Sequence, residues 1–252
     1  MPRRRADERQ VMTKDRTSQA LRPPGPNAGS QRWRDLLFLH WPLAHELVQA
    51  LLPAGLELDR WRGQPYIGLV AFAMEQVRPR WLPRAFALDF LETNVRTYVL
   101  HRGEPGVFFL SLEAASWLAV QAARRGWGLP YFHADMSLER DGSTCTYATR
   151  RRSRGAPGLR AVYEPGAALG PSAPGGVEHF LLERYLLFVE RKGQLYRGQV
   201  HHRPYPAHSA RLLEIEQNLS DAAQLGPCEG RPTFVHYSPG VDVEVFALTP
   251  VS

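Results

Sequence analysis

Hydrophobic and polar residues alternate most clearly between Phe90 and Val99, in the sequence FLETNVRTYV. Alternate side chains of an extended strand share a face. One face of this predicted strand carries Phe90, Glu92, Asn94, Arg96 and Tyr98. The residues of the other face suit a hydrophobic core. Two interpretations of the polar face stay open: a solvated face, which is usual for an antiparallel strand, or the inner wall of a barrel that lines a pocket.

The residues after this strand predict a compact unit of strand and helix. His101–Gly106 has the composition of a turn, and the apolar run Val107–Leu112 predicts a buried strand. A helix is expected over Glu113–Arg125, with Ser111 as its cap and an alanine-rich face that packs closely. The glycines and proline of Gly126–Pro130 would end that helix.

Short segments with strand character, separated by turn residues, make up most of the rest of the chain. They are Trp33–Trp41, Leu56–Trp61, Tyr66–Met74, Tyr131–Leu138, Ser143–Arg150, Leu159–Tyr163, Tyr185–Glu190, Leu195–His201, Ala210–Glu216, Arg231–Tyr237 and Val241–Leu248. Helical segments are expected at Leu43–Leu52, Gly176–Glu183 and Leu219–Leu225. This pattern predicts an α+β fold, a strongly curved antiparallel β-barrel with a few flanking helices.

The basic residues are concentrated at the N-terminus. Residues 1–34 hold nine Lys or Arg and three Asp or Glu, so they account for the formal net charge of +6 and leave the remainder balanced. The polar, Pro- and Gly-containing residues 1–31 are predicted to be a disordered basic arm, followed by a single barrel domain over 32–252. A neutral body argues against nucleic-acid binding, but association of the arm with nucleic acid stays an alternative.

The number and positions of the cysteines and lysines limit the cellular compartments and the reaction mechanisms to consider. The chain has two cysteines and no Cys-x-x-Cys motif, which favours a cytoplasmic protein. It has no apolar run long enough to cross a membrane, so no membrane partner is expected. Lysine occurs only at Lys14 and Lys192. Because arginine cannot act as an amine nucleophile, a Schiff-base mechanism would have to use one of these two lysines.

The histidines do not form a metal-binding pattern, and no metal site or cofactor is predicted. His201 and His202 would point to opposite faces of a strand and so could not chelate one ion from regular β geometry. Tyr131, His133 and Asp135 alternate on one predicted face. A His–Asp pair could take part in acid–base chemistry if that face meets the face of Glu92, and a solvated strand face is the alternative.

Several segments, in order across roughly residues 33–248, resemble the YqjF-like family of uncharacterised bacterial proteins. They are HWP (His40–Pro42), LLPAGLELDRWRG (Leu51–Gly63), LETNVRTYV (Leu91–Val99), GVFFLSLEA (Gly106–Ala114), ARRGWGLPYFHADM (Ala123–Met136), FLLERYLLF (Phe180–Phe188) and HYSPGVDVEVF (His236–Phe246). That family is similar to the acetoacetate decarboxylase superfamily, and the resemblance implies a curved antiparallel barrel that encloses a pocket.

The resemblance also shows where this chain departs from the decarboxylases. Their pocket glutamate is matched by Glu92, but their Schiff-base lysine follows a corner that here reads Gly-Leu-Pro-Tyr-Phe and ends in Tyr131 and Phe132. Their arginine before the first helix falls near His40, and a further pocket acid falls near Val70. The resemblance therefore implies a pocket that retains one acid and has lost the amine chemistry.

The main functional hypothesis is a pocket for a small oxygen-bearing or anionic organic molecule. Glu92 would act as the acid–base or orienting group, and Arg96 would bind a carboxylate through two parallel hydrogen bonds. The other candidate binding residues are Asn94, Tyr98, Tyr131 and His133. The sequence leaves open whether the protein is an enzyme without a Schiff base or a binding protein, and it is compatible with a homo-oligomer. The alternative is a structural or interaction module, a filled barrel with a buried Glu92–Arg96 ion pair.

Overall fold

The computed structural model describes residues 17–228 and 230–251, and these form mostly strands with few helices. The strands are β1 (Gly29–Pro42), β2 (Glu57–Leu58), β3 (Tyr66–Pro79), β4 (Leu88–His101), β5 (Glu104–Ala114), β6 (Tyr131–Asp141), β7 (Thr144–Arg151), β8 (Gly158–Ala168), β9 (Leu186–Arg191), β10 (Gln194–His201), β11 (His208–Gln217), β12 (Phe234–Val245) and β13 (Thr249–Pro250). The helices are α1 (His45–Gln49), α2 (Trp117–Trp127), α3 (Val177–Leu182) and α4 (Leu219–Ala222), with short 3-10 turns at Ser18–Ala20 and Arg84–Phe86.

All these strands belong to one sheet, in the order β13-β10-β9-β5-β6-β7-β8-β11-β12-β1-β3-β4-β2. Two additional pairings, β5 with β4 and β10 with β12, close the sheet into rings. Neighbouring strands are antiparallel except where β5 pairs with β6 and with β9 in parallel. The prediction of a strand-rich, strongly curved α+β fold with few helices is confirmed, with two parallel pairings that the sequence did not indicate.

The strands β12, β1, β3, β4 and β5 form a central wall with a hydrophobic cluster on each side. Successive side chains of a strand point to opposite faces. Leu37 and Leu39 of β1 therefore pack on one side against Tyr147 of β7. Leu36 and Phe38 lie on the other side, in the cluster that contains Phe180 of α3. Both faces of β3 are buried in the same way. This explains why the segment Tyr66–Met74, predicted as a strand, is a continuous apolar run.

Helix α2 begins later than predicted. Ser116, not Ser111, caps it: the Ser116 Oγ accepts a hydrogen bond of 3.3 Å from the Ala119 amide. Glu113 lies in β5, opposite Thr93 of β4, and its carboxylate forms a buried ion pair with Arg151 of β7. This ion pair with a distant strand explains why a residue with good helix propensity is found in a strand. At the C-terminal end of the chain, the two predicted late strands form one continuous strand, β12.

Part of the predicted arm of residues 1–31, from residue 17 onward, contacts the rest of the fold. Arg22 forms an ion pair of 2.6 Å with Glu244. The Ala28 amide donates to the Val245 carbonyl, and β1 already begins at Gly29. The rest of the predicted arm, residues 1–16, lies outside the described residues. In residues 17–228 and 230–251, the helices are too short or too polar for a transmembrane segment.

Candidate functional site

A cavity of about 670 Å³ lies against the even-numbered face of β4. Leu88 and Phe90, at the start of the strand, are partly exposed, whereas Glu92, Asn94 and Arg96 are buried. The cavity therefore opens beside the start of β4 and ends deep inside the sheet. Glu92, Asn94 and Arg96 are therefore not solvated, as a typical antiparallel strand face would be, and they line the cavity.

Glu92 and Tyr131 meet in this cavity. Gly128, in the left-handed conformation with φ of 70°, ends α2, and β6 then enters beside β5 with Tyr131 opposite Leu112. This geometry lets the Tyr131 hydroxyl donate a hydrogen bond of 2.6 Å to Glu92 Oε2. The phenol occupies the corner where the resemblance to the decarboxylases would place a lysine.

Glu92 has an unusually high pKa for a carboxyl group. Burial raises the pKa of Glu92 to about 7, and the negative charge of Glu113 adds to this effect. Hydrogen bonds from Tyr131 and Asn94 to the carboxylate act in the opposite direction and lower the pKa. A carboxyl group with a pKa near neutrality can both donate and accept a proton at physiological pH.

Arg96 is a buried cation without an acidic partner among the described residues. Its Nη2 donates a hydrogen bond of 3.2 Å to the Leu181 carbonyl, and its guanidinium lies 5.7 Å from the centre of the Phe38 ring. In residues 17–228 and 230–251, Arg96 Nε and Asn94 Oδ1 are buried without a hydrogen-bond partner. An uncompensated buried charge is costly, so an anionic ligand would stabilise this end of the cavity.

Tyr98 lies beneath the cavity and does not line it. Its hydroxyl donates a hydrogen bond of 2.9 Å to the Leu181 carbonyl, the same oxygen that Arg96 contacts. Because that hydroxyl proton is used, His40 Nε2, at 2.7 Å, must donate to the Tyr98 oxygen. Burial and the charge of Arg96 lower the pKa of His40 well below its ordinary value. We therefore infer that Tyr98 and a neutral His40 do not contact the ligand but help to hold Arg96 in position.

His133 does not join the other predicted site residues. The pairing of β6 with β5 ends at His133, and β6 then runs along β7. His133 lines a separate hollow of about 370 Å³, together with Arg151 and Arg152. Asp135 forms its ion pair with Arg152. The structure thus brings together Glu92, Asn94, Arg96 and Tyr131, and it separates them from His133.

Two features of the cavity were missed from the sequence. Arg184 lines the cavity and forms a buried ion pair of 2.7 Å with Asp59. The charged pair of residues inside the apolar run FLLERYLLF was the available signal for this contact. The alanine-rich face of α2, predicted to pack closely, also lines the cavity at Ala119 and Ala123, while Ala123 packs against the cluster around Leu112.

The described residues contain no lysine close to this cavity. Lys192 lies in the turn between β9 and β10, where its side chain is exposed and its φ is 52°. Lys14 lies outside the described residues. The cavity walls, in residues 17–228 and 230–251, therefore offer a carboxyl, an amide, guanidiniums and phenols, but no amine.

Comparison with known proteins identifies relatives of this chain. The family model DUF2071, described as an uncharacterized conserved protein, matches residues 30–242. The uncharacterized protein YqjF of Bacillus subtilis (strain 168) is 36% identical over 219 residues, which cover 86% of this chain and 90% of YqjF. The resemblance found in the sequence is confirmed.

Solved structures share the fold at low sequence identity. Acetoacetate decarboxylase from Legionella pneumophila superposes with a TM-score of 0.66 and 17% identity, covering 94% of this chain and 95% of its own. The enduracididine biosynthesis enzyme MppR, complexed with pyruvate, gives a TM-score of 0.64 and 13% identity and covers 92% of each chain. At these identities the similarity establishes the fold alone.

Proposed function

Because this chain belongs to the DUF2071 family and has an acetoacetate decarboxylase-like fold, we propose that it binds a small oxygen-bearing or anionic organic molecule in the cavity. The observation that carries this proposal is the group of buried polar side chains on one cavity wall: Glu92, Asn94, Arg96 and Tyr131. Buried polar groups are normally satisfied by partners. Arg96 Nε and Asn94 Oδ1 lack such partners within residues 17–228 and 230–251. A bound carboxylate would accept a hydrogen bond from Arg96 Nε, and a hydroxyl group or a water bound with the ligand would donate one to Asn94 Oδ1.

Arg96 is the group that binds the anion in this proposal. A guanidinium stays protonated and can present two parallel donors to a carboxylate. The pyruvate bound to MppR is a small carboxylate in a protein of the same fold, which supports this ligand class for the present chain. The charge of Arg96 would then be neutralised by the ligand, since the described residues provide no acid within ion-pair distance.

Glu92 is the acid–base or orienting group. Its carboxyl, with a pKa raised to about 7, is held by Tyr131 and can exchange a proton with a ligand oxygen near neutral pH. The contacts of Arg96 and Glu92 with the ligand would be the same in an enzyme and in a binding protein. The absence of lysine from the described cavity walls argues against imine chemistry of the decarboxylase type.

The alternative of a filled, purely structural barrel has less support. That hypothesis requires side chains to fill the interior and Glu92 to pair with Arg96. The cavity has a volume of about 670 Å³. Glu92 accepts a hydrogen bond from Tyr131 and forms no ion pair with Arg96. The association of the basic arm with nucleic acid concerns mainly residues 1–16, which lie outside the described residues.

Calorimetric titration of the full chain with pyruvate and with hexanoate tests the proposal. We expect the affinity for at least one of these carboxylates to fall tenfold or more in Arg96→Gln, because the cation is lost in a buried site. Arg78→Gln is the matched control: Arg78 lines the mouth of the same cavity, so the same substitution there should leave binding nearly unchanged. Failure of both carboxylates to bind, or equal binding to Arg96→Gln, contradicts the proposal.

Borohydride trapping tests the lysine-free chemistry. Incubation with acetoacetate or pyruvate and borohydride, followed by intact-mass measurement, should give no covalent adduct, because Lys192 is exposed in the β9–β10 turn and does not line the cavity. An adduct that maps to Lys192 would show that the β9–β10 turn reaches the cavity mouth and would overturn this part of the proposal. No adduct, together with binding weakened in Glu92→Gln, is the expected result.

A further inference from the structure

The cavity has a polar end and an apolar end. Along β4, the side chains change from Leu88 and Phe90 at the partly exposed start to Glu92, Asn94 and Arg96 in the buried part. At about 3.3 Å per residue, this row spans roughly 26 Å from one end to the other. On this strand, the groups that can hydrogen-bond a ligand therefore lie at the buried end, and apolar side chains lie at the partly exposed end.

The side of the cavity formed by α2 is built from small and apolar residues. Leu118, Ala119, Ala122, Ala123 and Trp127 recur at helical spacing and face the cavity. Alanine contributes little volume, so this helix face widens the cavity instead of filling it. The space beside α2 offers contact area to an apolar group and few polar partners.

Two large apolar side chains lie at the mouth of the cavity, where Arg78 is also found. Phe86 and Leu118 both line it, and they are 66% and 61% exposed, respectively. Large hydrophobic side chains that are this exposed do not gain the free energy of burial unless a ligand or another part of the protein covers them. An apolar part of a bound ligand that extends to the mouth would contact both side chains.

The volume exceeds what a small keto acid needs. A dry cavity of roughly 150 Å³ is enough for benzene, whereas this cavity measures about 670 Å³. Pockets of roughly 300–1,000 Å³ enclose drug-sized ligands. A ligand of three or four carbons held at Arg96 would leave the space beside α2 and the mouth without apolar contacts.

We propose that the ligand of this cavity is an amphipathic carboxylate, with its head at Arg96 and Asn94 and an alkyl chain of medium length that lies along α2 toward Phe86 and Leu118. This inference rests on the proposed function and specifies its ligand class. The head satisfies the buried cation, and the chain covers the apolar walls. A ligand in the opposite orientation would bury its chain against polar groups and leave Arg96 without a counter-ion.

Titration of the wild-type full chain with straight-chain carboxylates tests the inference without any variant. Butanoate, hexanoate, octanoate and decanoate would be measured by calorimetry below their micellar concentrations. We expect the affinity to rise about fourfold per methylene until the cavity is filled, because each buried methylene adds a constant increment of binding free energy. Equal affinity along the series overturns the amphipathic ligand but leaves the proposed function intact. No binding along the whole series overturns the amphipathic ligand, and it overturns the proposed function as well if pyruvate also fails to bind.

Two variants test the position of the chain and of the head. Ala119→Phe adds a ring to the cavity face of α2, and it should weaken decanoate at least tenfold while changing butanoate less than threefold. Gln121→Phe is the matched control, because Gln121 belongs to the outer hollow near His133 and not to this cavity. Arg96→Gln should weaken all chain lengths by a similar factor. If Ala119→Phe affects all lengths equally, or Arg96→Gln affects none, the proposed orientation is wrong.

Discussion

The Tyr131 hydroxyl donates a hydrogen bond of 2.6 Å to Glu92 Oε2, joining residues 39 positions apart. Both side chains are buried, and burial raises the pKa of Tyr131 well above its ordinary value, so the phenol keeps its proton. Tyr131 is therefore a fixed donor to Glu92. The pair places a carboxyl with a pKa near neutrality beside an open cavity.

Replacement of Tyr131 by phenylalanine should raise the pKa of Glu92 further. The hydrogen bond stabilises the carboxylate and so lowers the pKa, whereas burial raises it. Without the hydrogen bond, the effect of burial on the pKa is larger. We expect an increase of about one pH unit or more, since hydrogen bonds to charged groups contribute about 1.5–3 kcal/mol. NMR titration of carbon-labelled glutamate side chains measures it. Tyr205→Phe, which changes another tyrosine of the cavity, is the control. A lower or unchanged value in Tyr131→Phe would contradict the assigned hydrogen bond.

The stability of the protein should depend on pH through Glu92. Its pKa of about 7 lies above the ordinary value of 4.5, so the folded state holds the proton more tightly than the unfolded chain. The resulting stabilisation is complete below pH 4.5 and is lost as the pH rises through 7. The free energy of unfolding of wild type, relative to Glu92→Gln, should fall by roughly 3 kcal/mol between these limits.

Urea unfolding of both proteins at several pH values between 5 and 8 measures this difference. The titration of Glu113 and Glu183, whose pKa values burial also raises, is common to both proteins and largely cancels in the comparison. A difference that stays constant with pH would show that Glu92 titrates normally in the folded state.

The buried ion pair of Arg151 with Glu113 should be important for stability. Both side chains are at most 7% exposed, so Arg151→Met leaves a buried carboxylate without its partner. We expect a loss of about 3–5 kcal/mol, with partial recovery in the double variant Arg151→Met, Glu113→Leu. Arg160→Met, which breaks an exposed pair with Glu214, should cost much less, because solvent screens exposed ion pairs. Similar losses for the buried and exposed pairs in urea unfolding would contradict this prediction.

Much of the site follows from strand alternation. The pattern of FLETNVRTYV predicts which residues share a face with Glu92, and the structure has Glu92, Asn94 and Arg96 on one cavity wall. Local sequence could not place Tyr98 or His133 correctly. Tyr98 is drawn beneath the cavity by the Leu181 carbonyl of α3, a contact 83 residues away. His133 lies where β6 changes its partner strand, and such a change leaves no local signature.

The start of α2 shows a second limit of the sequence. Ser111 and Ser116 are both suitable caps, and Glu113 has good helix propensity. The choice between them depends on Arg151 of β7, which pairs with Glu113 from 38 residues away. Tertiary pairing thus overrides local propensity, and the alternation of β5 continues to Ala114.

The N-terminal segment should contribute to stability only in part. Contacts of residues 17–28 with the body, such as the Arg22–Glu244 ion pair and the Ala28 backbone hydrogen bond, predict that deletion of residues 1–28 lowers the melting temperature by about 2–4 °C, roughly 1 kcal/mol for this size. The composition of residues 1–16 predicts little effect of their deletion alone. Equal melting temperatures of both deletion proteins in calorimetry would mean that residues 17–28 do not stabilise the fold.

A crystal structure of the protein soaked with octanoate would show whether this cavity binds a carboxylate at Arg96. We expect the carboxylate within hydrogen-bond distance of Arg96 Nε, near Asn94, with the alkyl chain along Ala119 and Ala123 of α2 toward the mouth. Glu92 should keep its hydrogen bond to Tyr131. A cavity closed by its own side chains, or a carboxylate bound at the mouth and away from Arg96, would contradict the assignment of this cavity as an anion-binding ligand site.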